Sequence, residues 1–187
     1  IKYYGDKVPV EAPNDIPETA PPESWPSEGR ISIKKLIMGY RDGPDVLKNI
    51  SFDVLPRQKV AIVGRTGSGK SSLLIALFRV SEPRSGSITI DGIDISTLGL
   101  RQLRSRLGII PQDPVLFTGS LRHNLDPFQN HSDDRLWEVL KSVEMRSVVE
   151  ALPGQLMTEI SEGGRNFSVG QRQLLCMARA LLLDPKV

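Results

Sequence analysis

A mixed α/β fold organised around a phosphate-binding turn is predicted by three observations. The first is Gly64-Arg65-Thr66-Gly67-Ser68-Gly69-Lys70-Ser71, which matches Gly-x-x-x-x-Gly-Lys-Ser, the pattern of a loop that cradles phosphate. The second is its context. Gln58 to Val63 reads as a short apolar strand, and from Lys70 a helix carries Leu73, Leu74, Leu77 and Phe78 on one side. The third is that apolar stretches of strand period precede and follow this unit, while helical periods dominate after residue 132. The glycines let backbone N–H groups converge on a phosphate with no Cβ in the way, and the positive end of the helix faces the same place. Lys70 adds a mobile point charge where β and γ oxygens would lie, and Ser71 offers a hydroxyl to Mg²⁺. The plainer alternative is a solvent-exposed turn between a strand and a helix.

Composition bounds the rest. With 187 residues, 39% hydrophobic and 25% charged, the chain can bury a real core as one domain with a tail. A net charge of +2, with no basic run interleaved with aromatics, argues against nucleic acid as a partner. The single cysteine, Cys176, excludes an internal disulfide and fits a reducing compartment; its apolar helical setting favours burial over reactivity. No apolar run approaches the roughly 18 residues that span a bilayer, and no signal peptide is visible. The first residue is Ile1 rather than methionine, as expected of a piece of something larger.

Residues 1–29 hold six of the fourteen prolines and six acids against two lysines, a linker composition with net charge −4. The expected domain boundary is near Gly29, with the folded part running from 30 to 187. Ile31, Ile33 and Leu36, then Val46 to Val54, read as strands split by the turn Asp42-Gly43-Pro44. Ser87 to Asp91 and Ile93 to Ile95 flank Gly92, and Asp-Gly between apolar alternations signals a hairpin. A basic helix around Leu100 to Arg106 and a strand from Leu107 to Ile110 follow, before Pro111-Gln112-Asp113-Pro114 breaks the chain. Residues 132–152 read as two helical pieces, with Ser132 as cap and Pro153-Gly154 as stop. Gly163-Gly164 is a loop. Ser168-Val169-Gly170-Gln171 fits a capping box on a helix carrying Leu174, Ala178, Leu181 and Leu182, closed by Asp184-Pro185. His123 and His131 have no carboxylate or thiol pattern around them and read as surface residues.

Neither Asn-Lys-x-Asp nor Asp-x-x-Gly occurs, which argues against a guanine-nucleotide switch. Instead Gln112 and then Phe167-Ser168-Val169-Gly170-Gln171 follow the phosphate loop, and from about Ile31 onward this order resembles the nucleotide-binding domain of ABC transporters. Ile110-Pro111-Gln112-Asp113-Pro114, Ser120-Leu121-Arg122-His123-Asn124-Leu125-Asp126-Pro127-Phe128 and Ser161-Glu162-Gly163-Gly164 narrow the likeness. They are similar to the second nucleotide-binding domain of the C subfamily, the multidrug-resistance-associated group. Phe167 stands where that group usually has leucine, and Gly39 where arginine is common.

The resemblance implies a P-loop NTPase (ABC ATPase) core, an antiparallel β subdomain and an α-helical signature subdomain, here with an incomplete central sheet. It implies ATP and Mg²⁺ as ligands. Gly64, Arg65, Thr66, Gly67, Ser68, Gly69, Lys70, Ser71 and Ser72 would hold the phosphates, with Ser71 on Mg²⁺. Tyr40 would stack on adenine, the alternative being a strand tyrosine packed in the core. Gln112 would reach Mg²⁺ and the attacking water, the alternative being an ordinary loop glutamine. Ser168, Gly170 and Gln171 would meet the γ-phosphate of ATP held by another nucleotide-binding domain, a role compatible with plain capping.

The resemblance further implies transmembrane domains in the same polypeptide, with this part at the cytoplasmic face of a membrane, and export driven by ATP hydrolysis. A regulatory or channel member of the same group and a soluble, non-transport ABC protein are the alternatives. The family's signature helix leads into a strand ending in Asp-Glu, with a switch histidine beyond; this sequence ends at Pro185-Lys186-Val187. These residues alone are therefore expected to be nearly inactive as an ATPase and poorly soluble. Val169 stands where the more common signature has glycine. A β-branched residue there restricts φ and ψ and puts methyl groups near the phosphate path, so the two ATP sites of the parent are expected to be unequal.

Overall fold

Strand-period apolar residues and two turn signals build the first sheet. The computed structural model describes residues 10–187. Their contacts divide into two units: residues up to Leu107 together with Lys186 and Val187, and Gly108–Pro185.

In the first unit, β1 (Ile31–Gly39) pairs antiparallel with β2 (Asp45–Val54) across the turn in which Gly43 N–H donates to Tyr40 O. Helix α1 (Lys70–Leu77) follows the glycine loop, then β3 (Ser85–Ile90) and β4 (Ile93–Asp94). The sheet order is β2-β1-β3-β4, antiparallel throughout. Asp91 and Gly92 both have positive φ, the geometry that an Asp-Gly hairpin turn requires. One face of the sheet is buried: Ile33, Leu36, Met38, Leu47, Ile88 and Ile90 pack with Ala76 of α1 and Leu103 of α2 (Leu100–Arg104). Burial follows the period of two expected of a sheet with one face in the core, broken at exposed Lys34 and Lys35, where the strand pairing shifts register.

The acidic, proline-rich composition predicts a linker up to Gly29, but residues 10–30 lie along this unit. Trp25 is only 5% exposed and its Nε1–H donates to Ile90 O at 2.9 Å. Burying an indole removes ~150–250 Å² from water, worth at most on the order of 4–6 kcal/mol. The Asp91 carboxylate accepts four backbone N–H groups, from Ser27, Glu28, Gly29 and Arg30, at 2.7–3.1 Å. Pro13 O and Asn14 O accept the N–H groups of Leu100 and Arg101, filling orphan donors at the start of α2. Asp15 pairs with Arg101 and Glu11 with Arg104.

Two expected strands are missing. Gln58 to Val63 and Leu107 to Ile110 have no regular structure, and Val60, Ile62, Val63, Ile109 and Ile110 are about half exposed or more. A strand exists only through a neighbour that takes its N–H and C=O groups, and among the described residues neither segment has one. Among the described residues these segments form no central sheet; the structure shows an antiparallel sheet with helices.

In the second unit, β5 (Gly119–Ser120) pairs with β6 (Glu159–Ile160), and between them lie α3 (Leu121–Leu125), α4 (Asp133–Ser142) and α5 (Arg146–Glu150). Helix α6 (Val169–Leu183) ends at Asp184, which adopts the left-handed conformation. Leu136, Val139, Leu140 and Val143 fall at helical spacing and are buried with Leu121, Val149, Phe167, Leu175 and Ala178. Phe167, the departure from leucine, thus serves as core. From α6, Arg179 donates to Val115 O, Asn124 O and Asn124 Oδ1, and burial pushes its pKa down. Cys176 is buried, His123 is exposed and His131 is partly exposed.

Candidate functional site

Helix α1 begins without a side-chain cap. Its N-cap is Gly69, in the left-handed conformation with φ 91°, so the first-turn N–H groups are not consumed by the chain itself. Gly67 also has positive φ, and a Cβ on Gly64 would displace the Ser68 hydroxyl. Ser68 N–H donates to Arg65 O at 3.1 Å and closes the loop. Lys70 Nζ donates to Gly64 O and Arg65 O, both at 2.8 Å, so the ammonium is held across the loop by two neutral carbonyls. Such contacts are weaker than a charge-assisted bond to an anion, and an arriving phosphate could compete for the same donors. Thr66 and Ser71 are exposed.

Tyr40 comes to this loop through a hydrogen bond from its hydroxyl to Ser72 Oγ at 2.8 Å; Ser72 is 6% exposed and Tyr40 42%. The core alternative for Tyr40 therefore does not hold. A cavity of about 160 Å³ lies between β2 and the loop, lined by Leu47, Phe52, Val63, Ser68 and Lys70 among others. That is below the ~300–1,000 Å³ of an enclosed ligand pocket. The loop is an open shelf. A wider concavity of about 770 Å³, lined by Lys34, Asn49 and Ser87 among others, lies on the outer face of the sheet and includes no loop residue.

The remaining site residues lie in the second unit. Gln112 is exposed in a stretch without regular structure. Ser168, Gly170 and Gln171 are brought together at the start of α6. Ser168 Oγ accepts from Gln171 N–H at 3.2 Å while Gln171 Oε1 accepts from Ser168 N–H at 2.9 Å, a complete capping box. A Cβ on Gly170 would meet nothing, and Val169 is exposed within the first turn of the helix. Val169 is not in the positive-φ region. Valine therefore causes no backbone strain here, and what it adds at the helix start is two exposed methyl groups.

Sequence reasoning passed over Arg84, whose guanidinium holds the turn after Tyr40, and Trp25. The only signal for Trp25 was a large aromatic residue inside a tract otherwise poor in core residues. Among the described residues no three His, Cys, Asp or Glu side chains cluster as a metal site, and no helix is long and apolar enough to cross a membrane.

A family model described as ABC transporter matches residues 47–187. "ABC transporter C family member 3" of Dictyostelium discoideum is 52% identical over 182 residues, covering 97% of this chain and 13% of the relative. "Probable multidrug resistance-associated protein lethal(2)03659" of Drosophila melanogaster is 51% identical over 181 residues, covering 95% and 13%. "ABC-type transporter cicA" of Emericella nidulans is 48% identical over 203 residues, covering 100% of the chain and 14% of its own length. The chain thus spans about one eighth of the length of these relatives.

Proposed function

Since the chain belongs to the ABC transporter family, we propose that it is the ATP-binding part of a membrane transporter of the multidrug-resistance-associated group, from its second nucleotide-binding domain. The observation that carries this reading is the uncapped terminus of α1, where left-handed Gly69, open first-turn N–H groups and the Lys70 ammonium converge on one exposed shelf. That arrangement suits a triphosphate, and Tyr40 beside it suits the base. Ser71 would hold Mg²⁺ together with phosphate oxygens and water, which is how this ion is usually bound. Bound Mg²⁺ supplies charge neutralisation at the β and γ oxygens. The chain's own part would be to orient and neutralise, with the loop amides and Lys70 on the phosphates. The whole protein would act as a transport ATPase at the cytoplasmic face of a membrane.

The direct test is MgATP affinity of the full chain with Lys70→Ala. Loss of one charge-assisted bond corresponds to about a 10- to 100-fold weakening. Unchanged affinity would sink the assignment of the loop.

The second helix terminus supports a different role. In the intact transporter, Ser168, Gly170 and Gln171 would face ATP held by the other nucleotide-binding domain, with the Val169 methyl groups weakening that contact. Hydrolysis would then be slow at that site and faster at the site built on Lys70. Docking to the membrane domains is proposed through Phe117, which is 65% exposed while Leu116 beside it is 2% exposed; the Phe117 backbone is pinned by Asn124 through two hydrogen bonds.

A further inference from the structure

Tyr40 stands at the mouth of a short turn between β1 and β2, where an aromatic ring would ordinarily be free to swing. Its hydroxyl end is tied to Ser72 Oγ at 2.8 Å. The turn that follows it, closed by Gly43 N–H on Tyr40 O, is tied by a residue outside every motif in the sequence. Arg84, which precedes β3, donates through one terminal nitrogen to Asp45 Oδ1 at 2.6 Å, and through the other to Arg41 O and Gly43 O, both at 2.7 Å. The guanidinium thus bridges both arms of the turn. It lies directly over Gly39: a Cβ added there would come 2.8 Å from Arg84 Cζ and 2.9 Å from its terminal nitrogen, as well as 2.8 Å from Pro44 O. Only glycine before Tyr40 leaves room for this clamp.

We infer that Arg84 is a positioning residue for base recognition, acting on the nucleotide only through Tyr40. The inference rests on the reading of Tyr40 as the adenine platform. A phenol held at its Cα by a clamped turn and at its oxygen by a buried serine keeps its long axis fixed and can turn only about that axis. A platform so fixed loses little rotamer freedom when a base stacks on it. Arginine suits the task because one planar fork makes all three bonds at once; lysine offers a point charge with no such geometry. Arg84 and Asp45 are each more than a third exposed, so their ion pair itself contributes little to stability. The clamp matters through where it holds Tyr40.

The test compares MgATP with magnesium tripolyphosphate, which has no base, on the full chain. Arg84→Ala is expected to weaken MgATP about three- to tenfold and leave tripolyphosphate unchanged. Arg84→Lys should restore only part of the loss, and Tyr40→Ala with Arg84→Ala should bind MgATP no more weakly than Tyr40→Ala alone. Gly39→Ala should reproduce the Arg84→Ala pattern by displacing the guanidinium. The inference is overturned if Arg84→Ala leaves MgATP affinity intact, weakens both ligands equally, or adds its full effect to Tyr40→Ala. Lys70→Ala separates the two levels: it must weaken both ligands. Should it weaken neither, the nucleotide reading itself fails; should it weaken both while Arg84→Ala weakens neither, only the clamp fails.

Discussion

The two glycine-bearing helix starts of this chain solve the same problem in opposite ways. At α1 the N-cap is Gly69, with no side chain to offer, and no side chain caps the first-turn N–H groups. At α6 the N-cap is Ser168, and its hydroxyl together with Gln171 satisfies the terminus from within. A helix end needs partners for its free N–H groups, and a cap is worth about 1 kcal/mol. Forgoing it at α1 leaves a terminus that an anion completes, whereas α6 is complete before any ligand arrives and keeps only the N–H groups that the box does not use. A third cluster shows what completion looks like: four successive N–H groups, from Ser27 to Arg30, close on the Asp91 carboxylate.

The largest effect is expected where that filled cluster is emptied. Asp91→Asn keeps a side chain that tolerates the positive φ of 46°, but it replaces one accepting oxygen with an NH₂ group. Chemical denaturation should register a loss of about 1–3 kcal/mol. The same residue has a pH signature. Burial pushes the Asp91 carboxyl up, but the bonds from Glu28, Arg30, Gly29 and Ser27 outweigh it and hold the group below the usual carboxylate range. A group depressed on folding contributes stability that is fully present above its unfolded pKa, about 3.9, and is lost as pH falls through the folded value. Acid unfolding should therefore lose part of its steepness below about pH 4 in Asp91→Asn, and an unchanged acid limb would refute the assignment.

Next comes the glycine at the open terminus. Gly69→Ala forces alanine into the left-handed region, at a cost of about 1–2 kcal/mol, and brings its Cβ to 3.2 Å from side-chain atoms of Leu47 and Val46. Stability and MgATP affinity should fall together, whereas Gly170→Ala, with open space for its Cβ, should leave stability unchanged or slightly raised. Equal tolerance at the two positions would erase the contrast.

A smaller loss, about 1 kcal/mol, is expected for Ser168→Ala in the same denaturation experiment, with MgATP binding at the Lys70 loop unaffected. Val169→Gly should change stability least, by under about 0.5 kcal/mol, because the side chain is exposed and the backbone there is helical. Its value lies in the intact transporter. Nucleotide trapping that responds to Lys70→Met and to the equivalent change in the other half equally, with Val169→Gly altering neither site, would leave the proposed inequality without support.

Much of the candidate site was legible in the sequence because its causes are local. Gly64 to Ser71, the Asp91-Gly92 hairpin, the Ser132 cap and the Ser168–Gln171 box each depend on residues within a few positions of one another. Tyr40 was readable as a candidate only by resemblance; that its hydroxyl meets Ser72 across 32 positions was not. Gln58 to Val63 and Leu107 to Ile110 carry strand-forming residues yet pair with nothing among the described residues, because β propensity measures fit to a neighbour rather than a preference of the segment itself.

By itself, then, the sequence determined the glycine loop, the helix starts and stops and the hairpin turn, since backbone φ preferences and side-chain capping act over one to four residues. Tertiary structure alone decided that the proline-rich tract contributes Trp25 to the core and which distant side chains reached the site. Trp25 packs where Ile90 O, 65 positions away on β3, accepts its indole N–H, and the Tyr40 turn is held because Arg84, just before β3, reaches partners 39 to 43 positions away. Contacts at such separations are set by the packing of the whole sheet, and no local pattern encodes them.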